Sequence, residues 1–459
     1  MSEVISETKI VILNSREVKI PVEWEIEEIG NVAEKTKGTK PSTLYEEPES
    51  DRLPYLTISA SRGEVSQWAQ ADDGKRVSDN QILIVWDGAS SGTVFKSIEG
   101  IIGSTLASLT FDQKEFDNEF VYYSLRHFED RISSLAEGTG ISHVPRDFME
   151  IFQILKPPLP EQRRIADILS TADKQIQQTE EMITEYKSLR KGIIQDLYDE
   201  QYRGGGLSCE KRSVDQILEK RKGVWIETEK EKKNRADGDS NIDQSKYDPP
   251  LDLLFSSRLP DLPEGWQWVS LDTLVAYDID YRGQTPPYSD SGIPVISSGN
   301  IQEGEITFAE ERYVSPETYD EWLTRGVPKE GDLIVTTEAP VGKAAIYPEG
   351  KYLPTRRVIV LRTVGVDNRY LQAAINHPTV QKYLLAQSGG STVGRILKDN
   401  LLRTPIPLPP KKQEERLAAA LNGIDQKIAE EQETRQQLRE LKHGVMQDLL
   451  TGKVRVNTD

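Results

Sequence analysis

Residues Glu161–Leu197 read EQRRIADILSTADKQIQQTEEMITEYKSLRKGIIQDL, and residues Gln413–Leu449 read QEERLAAALNGIDQKIAEEQETRQQLRELKHGVMQDL. At a constant offset of 252, Arg164 falls on Arg416, Ile165 on Leu417, Leu169 on Leu421, Asp173 on Asp425 and Ile176 on Ile428. Leu189 then meets Leu441, Gly192 meets Gly444, and Gln195-Asp196-Leu197 meets Gln447-Asp448-Leu449. An ungapped match across 37 positions marks an internal duplication, the first thing to look for in a chain of this length.

Both stretches carry a heptad. Ile165, Leu169, Ala172, Ile176, Thr179, Ile183, Tyr186, Arg190, Ile193 and Leu197 alternate spacings of four and three, which predicts a coiled-coil seam on one helix face. Leu417, Leu421, Ile424 and Ile428 open the second seam, and Leu438, Val445 and Leu449 close it. Polar Glu431 and Arg435 interrupt its middle, where looser packing is expected.

The duplication continues upstream. Ile84-Val85 followed by Gly92 parallels Ile334-Val335 followed by Gly342, and Trp24-Glu25-Ile26 opens the first half much as Gly265-Trp266-Gln267-Trp268 opens the second. Each half reads as a mixed domain, a proline-rich hinge and a long helix. The hinges, Lys156-Pro157-Pro158-Leu159-Pro160 and Pro405-Ile406-Pro407-Leu408-Pro409-Pro410, should be extended and stop at a helix start, because proline restricts both its own φ and that of its predecessor. Gln81–Trp86, Asp332–Thr336 and Val358–Leu361 are short β-branched runs of the kind buried strands require, punctuated by Asp87-Gly88, Ser91-Gly92, Glu330-Gly331 and Gly389-Gly390. Between Gly204 and Pro250 a glycine triplet, a charge-dense stretch and an acidic tract read as a connector.

The fold class that follows is α+β: two duplicated mixed α/β domains separated by two long antiparallel coiled-coil helices, related by a pseudo-two-fold. A helix of 37 residues spans roughly 55 Å at ~1.5 Å per residue. DNA half-sites one turn apart lie ~34–36 Å centre to centre, so two domains on such a rod have the scale of a ruler.

Composition narrows the class without settling it. The 459 residues hold 57 Lys and Arg against 75 Asp and Glu, a net charge of −18, which argues against a simple nucleic-acid binder. A binding face needs only local positive potential. No run approaches the ~20 apolar residues of a membrane span, the N-terminus carries no export pattern, and the lone Cys209 fits a reducing cytoplasm, where the protein is expected.

These residues resemble the specificity subunits of type I restriction–modification systems. The resemblance is carried by the helix starts PPLPEQRRIADIL and PLPPKKQEERLAAAL and by the helix ends GIIQDL and GVMQDLLTGKVRV. LPEGWQWVSL, IPVISSGNI, GDLIV and GKAAIY in the second domain, and SVDQILEKRKGVWIE at Ser213–Glu227, add to it. The first domain departs more, lacking the PEGW form and placing Asp87–Gly92 where the second has Thr337–Gly342. On this resemblance residues 1–158 and 259–410 are target-recognition domains, 159–203 and 411–450 the long helices, 204–258 a connector with a charged helix, and 451–459 a tail.

The resemblance implies that each domain reads one half of an interrupted site in double-stranded DNA while the helices set the spacer and dock two methyltransferase subunits. Up to two restriction–translocase subunits would join them. S-adenosylmethionine, ATP and Mg would belong to those partners, with no cofactor and no catalysis in this chain, and no membrane partner is expected.

The residues themselves offer little chemistry. Asp248-Pro249-Pro250-Leu251 lacks the aromatic that stacks on a flipped base, and Thr285-Pro286-Pro287-Tyr288 lacks the amide or carboxylate. Gly389–Arg395 has the spacing of a phosphate loop but Arg in place of its Lys. His127, His143, His377 and His443 are scattered, so a metal site is not expected. The DNA-reading candidates are Ser61, Arg62, Ser90, Ser91, His143 and Arg146 in the first domain. In the second they are Arg282, Gln284, Asn300, Lys343, Arg356, Arg357 and Arg395. Three rival readings stand beside this one: the recognition subunit of a fused type II-like system, a coiled-coil scaffold that binds no DNA, and an autonomous enzyme, against which the missing catalytic motifs argue.

Overall fold

The computed structural model describes residues 7–136, 142–195, 259–281, 285–302, 304–308, 311–355, 357–389 and 394–457. Cys209, the connector 204–258 with Ser213–Glu227, and Leu197 lie outside the described residues. The chain divides into two compact units, 1–182 with 431–459 and 183–430. Each unit therefore holds one mixed domain together with stretches of both long helices, Leu159–Gln195 and Lys411–Leu450.

The first unit is built on a four-stranded antiparallel sheet in the order Ala33–Lys37, Leu106–Phe111, Ile82–Val85, Val94–Lys96. Every residue of Ile82–Val85 is buried, as its unbroken apolar run requires of a strand covered on both faces. On one side pack Trp24, Phe120, Phe148, Phe152 and the start of the first long helix. A second, smaller sheet, in which Gly100–Ile102 pairs parallel with Arg52–Leu56, covers Leu83, Val85 and Phe95 on the other.

The second unit repeats this plan. Val275–Ile279, Val358–Thr363, Leu333–Thr336 and Ala344–Ile346 follow one another in the same antiparallel order. Here too a short parallel pair, Ile293–Ile296 with Leu353–Pro354, lies in the second sheet, where Tyr313–Val314 pairs antiparallel on the other side of Ile293–Ile296. The helix pair Asn118–His127 and Glu129–Leu135 of the first unit has its counterpart in Asn368–Asn376 and Pro378–Ala386.

The proline-rich segments are more tightly held than the word hinge implies. Pro405–Leu408 is a fully buried strand paired with Gln267–Ser270, and Gln153–Lys156, just before Pro157, pairs with Glu25–Glu28. Proline is compatible with a two-stranded ribbon because each strand has one edge that donates to no neighbour. Both segments run extended into their helices, as the sequence predicts.

The domain is fastened to its helix by the same contacts twice. Trp24 and Trp266 are buried, and each indole N–H donates to the first turn of a long helix, to Glu161 Oε2 at 3.0 Å and to Gln413 Oε1 at 3.0 Å. One residue further on, buried Gln162 accepts from the backbone N–H of Asp117 at 2.9 Å, and buried Glu414 accepts from that of Asp367 at 2.8 Å. Asp117 and Asp367 are the N-caps of the equivalent helices, so these bonds tie helix start to helix start.

The seams follow the heptad. Ile165, Leu169, Thr179, Ile183 and Arg190 are buried, and Ala172, Ile176, Tyr186 and Ile193 are half-buried. Leu417, Leu421, Ile428 and Leu449 are buried, with Ile424, Glu431, Arg435, Leu438 and Val445 half-buried. In the first unit Glu161, Asp173 and Glu180 of one helix side meet Arg455, Lys442 and Arg439 of the other, an order that runs antiparallel. Lys442 Nζ lies 2.5 Å from Asp173 Oδ1. In the second unit Arg190 Nε lies 2.6 Å from Asp425 Oδ1. The two ion pairs are images of each other under the offset of 252, with donor and acceptor exchanged between helices.

Replacing Gln162 by Met, close in volume but unable to bond, strands the N–H of Asp117 and the carbonyls of Glu115 and Pro157, which its amide also serves. At roughly 1–3 kcal/mol per buried group left unpaired, we expect a loss of about 3 kcal/mol in urea unfolding of the first unit. A change below 0.5 kcal/mol, on the order of a surface substitution, would contradict this role.

Candidate nucleic-acid interface

At one end of each four-stranded sheet, two loops are zipped together by matching backbone bonds. In the first domain Val144 N donates to Trp86 O at 2.8 Å, Gly92 N to Val85 O at 2.8 Å, and Asp87 bridges to His143. In the second, Ile396 N donates to Thr337 O at 2.9 Å, Gly342 N to Thr336 O at 2.8 Å, and Glu338 bridges to Arg395. The turn glycines explain why the loops keep one shape. Gly92 and Gly342 have φ of +96° and +75°, and a Cβ on either would fall within 2.8 Å of Ser133 or Leu384 on the helix behind.

On this common frame the acid is the shared feature and the bases differ. Asp87 accepts from Lys37 Nζ at 2.7 Å, and Lys37 projects from the edge strand Ala33–Lys37. Lys35, two residues back on the same face, sits 4.2 Å from the centre of the Trp86 ring, with Lys37 at 6.0 Å. Burial, with the like charge of Lys37 added, holds the Lys35 ammonium below the ordinary lysine range. Two cations over one indole, only one of them ion-paired to Asp87, make a local positive spot in an acidic chain. In the second domain Glu338 holds two guanidinium groups, Arg395 at 3.2 Å and Arg357 at 3.5 Å, both about half exposed.

Beside Arg357 the second domain opens a cleft of about 520 Å³ lined by Tyr288, Asn300, Gln302, Arg312, Thr355 and others. Arg312 lies 5.4 Å from the ring of Tyr288, which is exposed. The cleft offers an aromatic face, guanidinium donors and an amide, the groups that recognise planar bases and phosphate oxygens.

The residues singled out from sequence fall into different places. Arg282, Gln284 and Arg356 lie outside the described residues. Arg357 and Arg395 meet at Glu338, and Lys343 is half-buried in the turn that precedes the strand Ala344–Ile346. In the first domain Ser90 and His143 belong to the zipped loops, Arg146 is exposed further along, and Ser61 and Arg62 lie on a separate exposed turn, Ile58–Arg62. Ser91 and Asn300 are not projecting loop residues: both are buried. Ser91 shares its hydroxyl with Ser142 at 2.7 Å, while Asn300 accepts from Ser297 N at 2.9 Å and donates to Thr307 O at 2.8 Å, so each shapes its loop. Lys35, Lys37, Asp87, Gln302, Arg312 and Glu338 were not reached from sequence. The basic spacing Lys35-Thr36-Lys37 on a strand was the one available signal.

A model of the type I restriction modification DNA specificity domain matches residues 21–186 and again 263–440. The chain belongs to that family. The two matches fall on the two duplicated halves. Among curated proteins, the chain is similar to the type I restriction enzyme MjaVIII specificity subunit of Methanocaldococcus jannaschii, 27% identical over 450 residues, covering 96% of this chain and 95% of that one. It is also similar to the EcoBI specificity subunit of Escherichia coli, 19% identical over 394 residues, covering 82% and 76%. Among solved structures, a type I restriction–modification S subunit from M. genitalium superposes with a TM-score of 0.55 at 15% identity, covering 93% of this chain and 96% of that one. That likeness supports the fold. Among the described residues, no group of His, Cys, Asp and Glu is arranged to hold a metal ion, and no helix is long and apolar enough to cross a membrane.

Because Arg357 and Arg395 are about half exposed and Glu338 is partly so, replacing Glu338 by Gln should leave folding stability within about 1 kcal/mol. Thermal unfolding of the purified chain tests this. A loss of several kcal/mol would make Glu338 a structural residue instead of an anchor for two exposed cations.

Proposed function

We propose that this chain is the non-catalytic specificity subunit of a type I restriction–modification complex, and that each domain reads one half of an interrupted duplex target through the zipped loops at its sheet end. The observation that carries this reading is the repetition of one loop frame with different cations: Lys35 and Lys37 beside Asp87, against Arg357 and Arg395 beside Glu338. A shared scaffold bearing unlike donors is what two different half-sites require. Arginine reads guanine bidentately, and an acid released from its cation accepts from cytosine. The local clusters supply positive potential that the bulk charge of −18 conceals.

On this reading the chain performs no covalent chemistry. Methyltransferase subunits dock on the helices and bring S-adenosylmethionine, and nuclease–translocase subunits bring ATP and Mg. Partner subunits also supply most phosphate contacts, and the length of the paired helices sets the gap between half-sites.

The decisive experiment measures adenine methylation and DNA binding by the chain with its cognate methyltransferase subunit, on matched, half-matched and random duplexes across a salt series. The chain alone should show no turnover of S-adenosylmethionine. Replacing Arg357 and Arg395 by Ala should reduce activity at one half-site by tenfold or more, on the order of 1–3 kcal/mol per lost bidentate contact. Replacing Lys35 and Lys37 should act on the other half-site. Equal losses on all duplexes would mean that these groups touch only phosphate. Inserting one heptad into each long helix, between Thr179 and Ile183 and between Glu431 and Arg435, preserves the seam and adds roughly 10 Å. The half-sites should stay the same and their gap should lengthen; an unchanged gap would show that the helices do not measure it.

A further inference from the structure

Arg190 is only 6% exposed, although it stands near the end of a helix with many water-facing residues. Its guanidinium donates from Nε to Asp425 of the second helix at 2.6 Å and from a terminal nitrogen to Gln372 Oε1 at 3.2 Å. Gln372, also buried, turns its amide N–H₂ toward the carbonyl of Gly304. Gly304 has a φ of +89° and closes the small hairpin of Ile301–Gln302 and Glu305–Ile306. A Cβ there would lie 3.1 Å from the Gln372 amide and 3.2 Å from the guanidinium, so glycine is what lets the turn approach both. Lys187, one turn back on the helix, reaches Glu305 of the same hairpin at 3.5 Å.

The other side of that hairpin is the cleft. Gln302 lies on its first strand, and Asn300 and Thr307 flank it, all three lining the cavity beside Arg357. A continuous chain of polar contacts therefore runs from the helix pair through Arg190 and Gln372 to the hairpin that carries Gln302. The first unit has the equivalent helix-to-helix pair, but Lys442 there meets Asp173 and lies over Tyr123, both on helices.

We infer that Arg190 and Gln372 are positioning residues that hold the Ile301–Ile306 hairpin, and with it Gln302, at the reading cleft of the second domain. The discrimination exercised by the second domain thus depends on its helix contacts, and that of the first does not depend on Lys442 in the same way. This rests on the half-site reading proposed above. The geometry gives the reason: Ile301 and Ile306 seat one face of the hairpin in the core, while its short turn at Gly304 is fixed by the bond from Gln372, which Arg190 in turn orients.

The test uses the chain assembled with its methyltransferase subunit, and compares methylation of matched duplexes with duplexes altered in either half-site. The half-site of the second domain is the one that Arg357→Ala disturbs. Gln372→Met, which leaves the Arg190–Asp425 pair in place, and Arg190→Met should each lower discrimination at that half-site by fivefold or more while leaving the other within twofold. Arg190→Lys, too short for both partners, should resemble Gln372→Met. Lys442→Met should leave second-domain discrimination unchanged. If both half-sites lose discrimination together, or neither does while Gln372→Met remains folded by thermal denaturation, the positioning role is overturned. A wild-type complex that methylates all duplexes equally would instead overturn the half-site reading, and this inference with it.

Discussion

The structure depends on the first turn of each long helix. There a buried side chain, Gln162 or Glu414, accepts a backbone N–H from the N-cap of a domain helix, and the preceding residue takes an indole N–H. Trp24, Trp266, Glu161, Gln162 and Glu414 are buried, so their polar groups depend on these bonds once the domain has packed. The consequence is that a mixed domain and a helix behave as one body at the point where proline-rich strands deliver the chain into the helix. The same solution on both halves explains why the motif PPLPEQ and its counterpart PLPPKKQE are the readable signatures of the chain.

Duplication then does two kinds of work. In the helices it produces reciprocal ion pairs, Lys442 with Asp173 and Arg190 with Asp425, because two copies of one helix meeting antiparallel present each other with the same residues in reverse. Pairs of this kind contribute more to register than to stability, since desolvation offsets much of the attraction. In the domains duplication preserves a backbone frame while the exposed side chains diverge. Gly92 and Gly342, Asp87 and Glu338 keep their places, and the cations around them come from different strands and loops. Conserving the frame and varying the donors is the physical meaning of a recognition domain that can be retuned.

The acidic balance and the proposed DNA-reading role are compatible at this level. Many carboxylates are exposed, or are paired with lysine and arginine on the surface and the helices, as in Lys427 with Glu430 and Arg439 with Glu180. Asp87 and Glu338 are different: each stands among cations at a loop end, where a carboxylate gathers and orients positive charge in the absence of a ligand. Lys35, partly desolvated and next to Lys37, shows the cost of that gathering, since its ammonium is held below the ordinary lysine range.

Heptad spacing, strand-like apolar runs and the 252-residue repeat are local or translational patterns, and they alone determined the duplication, the helix seams and the central strands of both sheets. Helical and strand periods are written in which residues recur along the chain, so no tertiary information is needed to read them. What the tertiary structure decided was which polar residues face outward at the loops. Ser91 and Asn300 look like loop donors in sequence and are buried by their own turns. Lys37 belongs to an edge strand fifty residues from the acid it meets, Lys35 of the same strand reaches the Trp86 ring, and Arg190 acts on a hairpin more than a hundred residues away. Such proximities are set by strand order and helix pairing, and a side chain's partners across that separation leave no period in the sequence.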